Sequence, residues 1–114
     1  MTDAAHVSSL LSALQALESA AAENIARATE IRRRAARLRD QIEAGTPVRD
    51  VVAEEERPPI VELVTANIQA LESWGSLLHR VEAEALQADG LTQQQIADLF
   101  GVTRQRISAL LADR

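Results

Sequence analysis

The sequence contains no Cys, no Lys and no Tyr, and its only aromatic residues are Trp74 and Phe100. Without Cys, disulfides and thiolate chemistry are excluded, which suits a reducing cytoplasm. No apolar run approaches the ~20 residues of a membrane span. The opening segment, MTDAAHVSSLLSALQALESA, lacks the basic region of a secretory signal. A soluble, cytoplasmic protein with no membrane partner is expected. The scarcity of aromatics and of β-branched runs, beside abundant Ala, Leu, Glu and Arg, leaves helix propensity dominant. The expected fold class is therefore all-α. All twelve basic residues are Arg, and with the many Ala this is the residue usage of a GC-rich, actinobacterial type of bacterial genome.

What is present is unevenly placed. The 114 residues suffice for one domain, or for a small module on a helical scaffold, and bury roughly two-thirds of the unfolded surface. The net charge of −5 argues against a generic nucleic-acid coat. Residues 1–89 hold nine Arg against fifteen acids, a balance of −6, whereas residues 90–114 hold three Arg against two acids, a balance of +1. The C-terminal segment is thus where a polyanion is tolerated.

From Val7 onward, apolar or small residues recur at alternating steps of three and four. Val7, Leu14, Ala21, Ala28, Ala35 and Ile42 share one heptad position, and Leu10, Leu17, Asn24, Ile31 and Leu38 the other. This predicts one helix of about 60 Å, stopped by Gly45 and Pro47. A short helix is expected over 47–56, started by Thr46. Pro58 and Pro59 then open a second long helix, with Ile60, Val64, Asn67, Leu71, Trp74, Leu78, Val81 and Ala85 along its seam and an end near 88–90. The simplest arrangement is a long antiparallel, coiled-coil-like hairpin. In that register Ala28 faces Trp74, and the first helix outruns the second by roughly ten residues. Its apolar end, Val7 to Leu17, then needs cover from the C-terminal module or a second subunit.

The stretch LTQQQIADLFGVTRQRISALL closes the chain. Thr92 and Gln95 have the spacing of a capping box. A helix over 93–100 follows, with Ile96, Leu99 and Phe100 inward and Ala97 at the contact with its neighbour. Gly101 can take the positive φ of a sharp turn, Val102 plugs that turn, and Thr103 caps a helix from Arg104 to about Ala112. The inner face of this last helix is Ile107, Leu110 and Leu111. Counted from Gln93, Ala stands fifth, Gly ninth, Val tenth and Ile fifteenth. Two helices crossing near a right angle leave room only for a small residue at the fifth place.

This pattern resembles the helix-turn-helix of DNA-binding proteins, and VTRQRIS within it is similar to the segment of the principal sigma factors that reads the upstream promoter element. The resemblance covers residues 91–111. It implies that Thr103, Arg104, Gln105, Ser108 and Ala109 face the major groove. There, Arg can reach guanine O6 and N7, and Gln adenine N6 and N7. Arg106 suits a phosphate, as do Gln93 and Gln94 at a helix start. Ala97, Gly101, Val102 and Ile107 are the structural positions. Residues 1–89 then read as a scaffold and dimerisation region, and 90–114 as the DNA-binding module, packed on the end of the second long helix.

Other groupings carry less. Arg32, Arg33, Arg34, Arg37 and Arg39 could form a second phosphate-contacting patch, but the favoured reading is a solvated face paired with Glu30, Asp40 and Glu43. Glu54 to Arg57 read as a solvated loop or helix end and not as a metal site. His6 and His79 belong to no recognisable catalytic or zinc motif, and Trp74 reads as core. Asn24 and Asn67 interrupt the seams and either fix register or lie at an edge. No enzyme constellation, metal site or cofactor is expected. The expected function is sequence-specific binding of double-stranded DNA by a dimeric transcriptional regulator or chromosome-associated protein. The competing class is a helical adaptor that binds RNA polymerase, a sigma factor or another regulator.

Overall fold

The structure, a computed structural model, describes residues 4–112. It holds five helices, α1 (Ala4–Glu43), α2 (Val48–Ala53), α3 (Ile60–Ala88), α4 (Gln93–Phe100) and α5 (Arg104–Ala112), with no strand among the described residues. The fold is all-α, and α1 runs unbroken for 40 residues because no Gly or Pro interrupts it. The described residues divide into two compact units, one of residues 20–72 and one that combines residues 4–19 with residues 73–112. Each long helix therefore contributes to both units.

In the 20–72 unit, polar contacts set the register. Arg27 Nη1 donates to Asn24 Oδ1 at 3.0 Å and to Asn67 Oδ1 at 2.8 Å, while Asn67 Nδ2 donates to the Asn24 carbonyl at 3.3 Å. Both seam Asn thus meet across the helix pair, which runs antiparallel here: Asn24 and Arg27 meet Asn67, and Arg34, further along α1, meets Glu56 and Pro58. This corrects the expected register. The level of Arg27 and Ala28 is met by Asn67, about two helical turns before Trp74. Heptad spacing alone could not exclude that shift, because an Ala-rich helix accepts large neighbours at several levels.

In the acidic connection Glu54 and Arg57 are exposed, with Glu54 at the end of α2. Glu56 instead is paired: its carboxylate receives Arg33 Nη2 at 2.8 Å and Arg37 Nη1 at 2.7 Å. Arg33 and Arg34 also donate to Glu30, at 2.7 and 2.8 Å. Arg34 is buried, and its Nη1 donates to the carbonyls of Glu56 and Pro58. Asp40 lies 3.9 Å from Arg39 Nε, at the outer limit of an ion pair. The Arg face is therefore paired, but chiefly with Glu30 and Glu56. Glu55 accepts from the backbone N–H of Ile60 at 2.7 Å and so satisfies a free donor at the start of α3. Helix α2 is shorter than expected and begins from Pro47, without a Thr46 side-chain cap.

In the other unit, Ala83 of α3 and Ile96, Ala97 and Ile107 of α4 and α5 are fully buried, with Leu86, Leu91, Phe100, Leu110 and Leu111 packed around them. The start of α1 is not left overhanging. Val7, Leu10, Leu11 and Leu14 share one groove with Glu82, Ala85, Leu86 and Asp89 of α3. The expected overhang disappears here because α1 lies alongside the last turns of α3.

Candidate nucleic-acid interface

Gly90 ends α3 with φ +100°, donating to the Gln87 carbonyl at 3.0 Å, while Leu91 N–H reaches the Leu86 carbonyl at 3.1 Å. These are the two bonds of a left-handed helix stop, and they turn the chain into α4. At the α4 start, Gln95 N–H donates to Thr92 Oγ1 at 3.1 Å, and Thr92 N–H donates to Gln95 Oε1 at 2.8 Å. Both halves of the capping box are thus formed.

Gly101 then adopts φ +68°, ψ +33°. A residue with a side chain rarely occupies that region, so Gly supplies the turn. The next N–H, of Val102, closes onto the Ala97 carbonyl at 3.0 Å. Thr103 Oγ1 accepts from Arg106 N–H at 3.1 Å and caps α5. Ala97 is fully buried where α4 and α5 meet, and Ile107 fills the space beneath. Two apolar positions differ from expectation. Leu99 is 67% exposed rather than inward, and Val102 is 41% exposed rather than a plug. Ile96 and Ile107 already fill the interior, and the left-handed turn at Gly101 carries Val102 outward.

The polar row lies outside. Thr103, Arg104, Gln105, Arg106, Ser108 and Ala109 are all exposed. Arg104, Gln105, Ser108, Ala109 and Ala112 line one concavity on the outer side of α5. Gln93 is half-buried and Gln94 is exposed; the Gln94 amide donates to Asp98 Oδ1 at 3.0 Å, so a phosphate would have to displace that bond. The His79 ring of α3 packs on Phe100 with centroids 5.8 Å apart, which makes this His a support of α4. The sequence pattern did not bring α3 near Arg106. In the structure Ser73, Ser76 and Arg80 share a cleft with Arg106, and their i, i+3, i+7 spacing was the available signal. Among the described residues no group of three His, Asp or Glu is placed to hold a metal ion. No described helix is long and apolar enough to cross a membrane.

No protein-family model, curated protein or solved structure matches the chain.

Proposed function

We propose that this protein binds double-stranded DNA sequence-specifically through α4, the Gly101 turn and α5, as a homodimeric bacterial transcriptional regulator or nucleoid-associated factor of the cytoplasm. One observation supports this reading most directly. The small and left-handed positions, Ala97 and Gly101, serve the crossing, while Arg104, Gln105 and Ser108 stand exposed on one side of the second helix. A helix so presented has the diameter to enter the major groove, with its first turn leading. The similarity of VTRQRIS to the promoter-reading segment of sigma factors agrees with it.

A single such module buries little DNA surface, and the acidic remainder of the chain weakens nonspecific attraction. Two copies remedy both. Helix α3 carries an exposed apolar stripe, Val61, Val64, Ile68 and Leu71, at the three-four spacing of a helix-packing seam, and this stripe supports self-association. The second reading, an adaptor that docks on RNA polymerase, a sigma factor or another regulator, is favoured by the exposed apolar pair Leu99 and Val102. Selection of bound duplexes from a random pool, at roughly physiological ionic strength, separates the two. Enrichment of a two-fold-symmetric sequence supports the regulator, whereas no enrichment together with capture of purified polymerase supports the adaptor.

A further inference from the structure

A cleft of about 600 Å³ opens between α3 and α5. Ser73, Ser76 and Arg80 form one wall, and Arg106 and Ala109 the other. Two guanidiniums and two hydroxyls, from helices far apart in sequence, thus border one solvent-filled space. The negative charge already present is slight. Glu84 Oε1 lies 3.9 Å from Arg80 Nε, at the outer limit of an ion pair. Arg106 takes part in no ion pair among the described residues.

Ala109 also lines the concavity formed by Arg104, Gln105 and Ser108, so the cleft adjoins the row assigned to base reading. At about 100° per residue, Arg106 lies about a third of a turn round α5 from the middle of that row. A helix ~10–12 Å across fills a major groove ~12 Å wide, so residues at such an angle face the sugar-phosphate wall and not the base edges. The planar guanidinium fork matches phosphate oxygens, and Ser hydroxyls can donate to the same group.

Resting on the DNA-binding reading above, we infer that this cleft is a phosphate clamp. Arg80 and Arg106 close from two helices on one backbone phosphate beside the bases that α5 reads, with Ser76 or Ser73 as an added donor. Both walls are held by the same core, in which Ala83 of α3 packs with Ile107 of α5. The clamp therefore fixes the angle at which α5 enters the groove, as phosphate contacts do without carrying sequence information.

The test is a set of titrations of the full chain on preferred and scrambled duplexes at three salt concentrations. Arg80→Ala should weaken both duplexes by the same factor while lowering the slope of log affinity against log salt by less than one per subunit, because Arg106 still neutralises part of the shared phosphate. Arg80→Lys, which keeps the charge, should restore most of that affinity. The Arg80→Ala, Arg106→Ala double variant should lower the slope by about one per subunit in all, because one phosphate is shared. Arg49→Ala, an exposed Arg of α2, should match the parent. An unchanged affinity in Arg80→Ala overturns the clamp, and so does a double variant whose slope falls by about two per subunit. If the parent binds no duplex, the DNA-binding reading itself has failed. The cleft is then tested with inorganic phosphate and a nucleoside monophosphate in a thermal-shift assay. A stabilisation abolished by Arg80→Ala keeps the phosphate site but makes its ligand a free phosphate compound, and no stabilisation overturns the site.

Discussion

At the scale of single residues, the C-terminal module separates shape from reading. Gly101 has open space where a Cβ would stand, so what a larger residue meets is the left-handed backbone and not a clash. Gly101→Val should cost at least ~1 kcal/mol. Ala97 is the opposite case: its backbone is ordinary helix and its surroundings are full, so Ala97→Leu should cost ~1–3 kcal/mol by overpacking. Thermal melts of the two variants check both figures, and binding to the selected duplex should fall in each while most of the far-ultraviolet helical signal stays. Arg104 and Gln105 are exposed and support neither the turn nor the core. Replacing either with Ala should leave melting unchanged, cost ~1–3 kcal/mol on the preferred duplex and relax preference at one or two base pairs. Equal losses on preferred and scrambled duplexes would remove their reading role.

At the scale of elements, most boundaries were legible in the sequence. Gly45, Gly90 and Gly101 mark the ends of α1, α3 and α4, and the Thr92–Gln95 box marks the start of α4. Local chemistry decides those features, and local chemistry is what a sequence displays. The register of α1 on α3 was not legible, since Arg27, Asn24 and Asn67 meet only in the fold and heptad spacing accepts several alternatives. Of the partners of the Arg face, Glu30 lies one turn away and was legible, whereas Glu56 arrives only through the fold. That network predicts an acid response. Hydrogen bonds from Arg33 and then Arg34 hold the Glu30 carboxyl at about 2, below its ordinary value of 4.5, and Arg33 likewise lowers Glu56. A carboxyl lowered in the folded state stabilises fully above its unfolded value and loses that contribution as pH falls toward the folded one. The effect is present above pH 4.5 and fades between 4.5 and about 2. It is small, because these groups are open to solvent. Glu30→Gln should flatten the acid limb of a stability–pH profile in that window and leave the slope near neutrality unaltered.

At the scale of the whole molecule, the two units are built differently. Among the described residues of the 20–72 unit only Ala20, Arg34 and Val51 are buried, and the α3 stripe Val61, Val64, Ile68 and Leu71 faces outward. The proposed dimer covers that stripe. Light scattering at micromolar concentration should give twice the mass of one chain, and Ile68→Glu should return it to the single mass with α4 and α5 intact. Yet the division between the units falls inside α1 and α3, at Ala20 and Ser73, and not in a loop. Local unfolding that begins in either unit can therefore travel along α1 or α3 as a melting front. Amide hydrogen exchange should reveal it. Protection within α1 and α3 should change by degrees along each helix near those residues, while the amides of Ile96 and Ile107, held by the fully buried core, exchange only with global unfolding. An abrupt step in protection at Ala20 and Ser73 would mean instead that each helix melts in two separate segments.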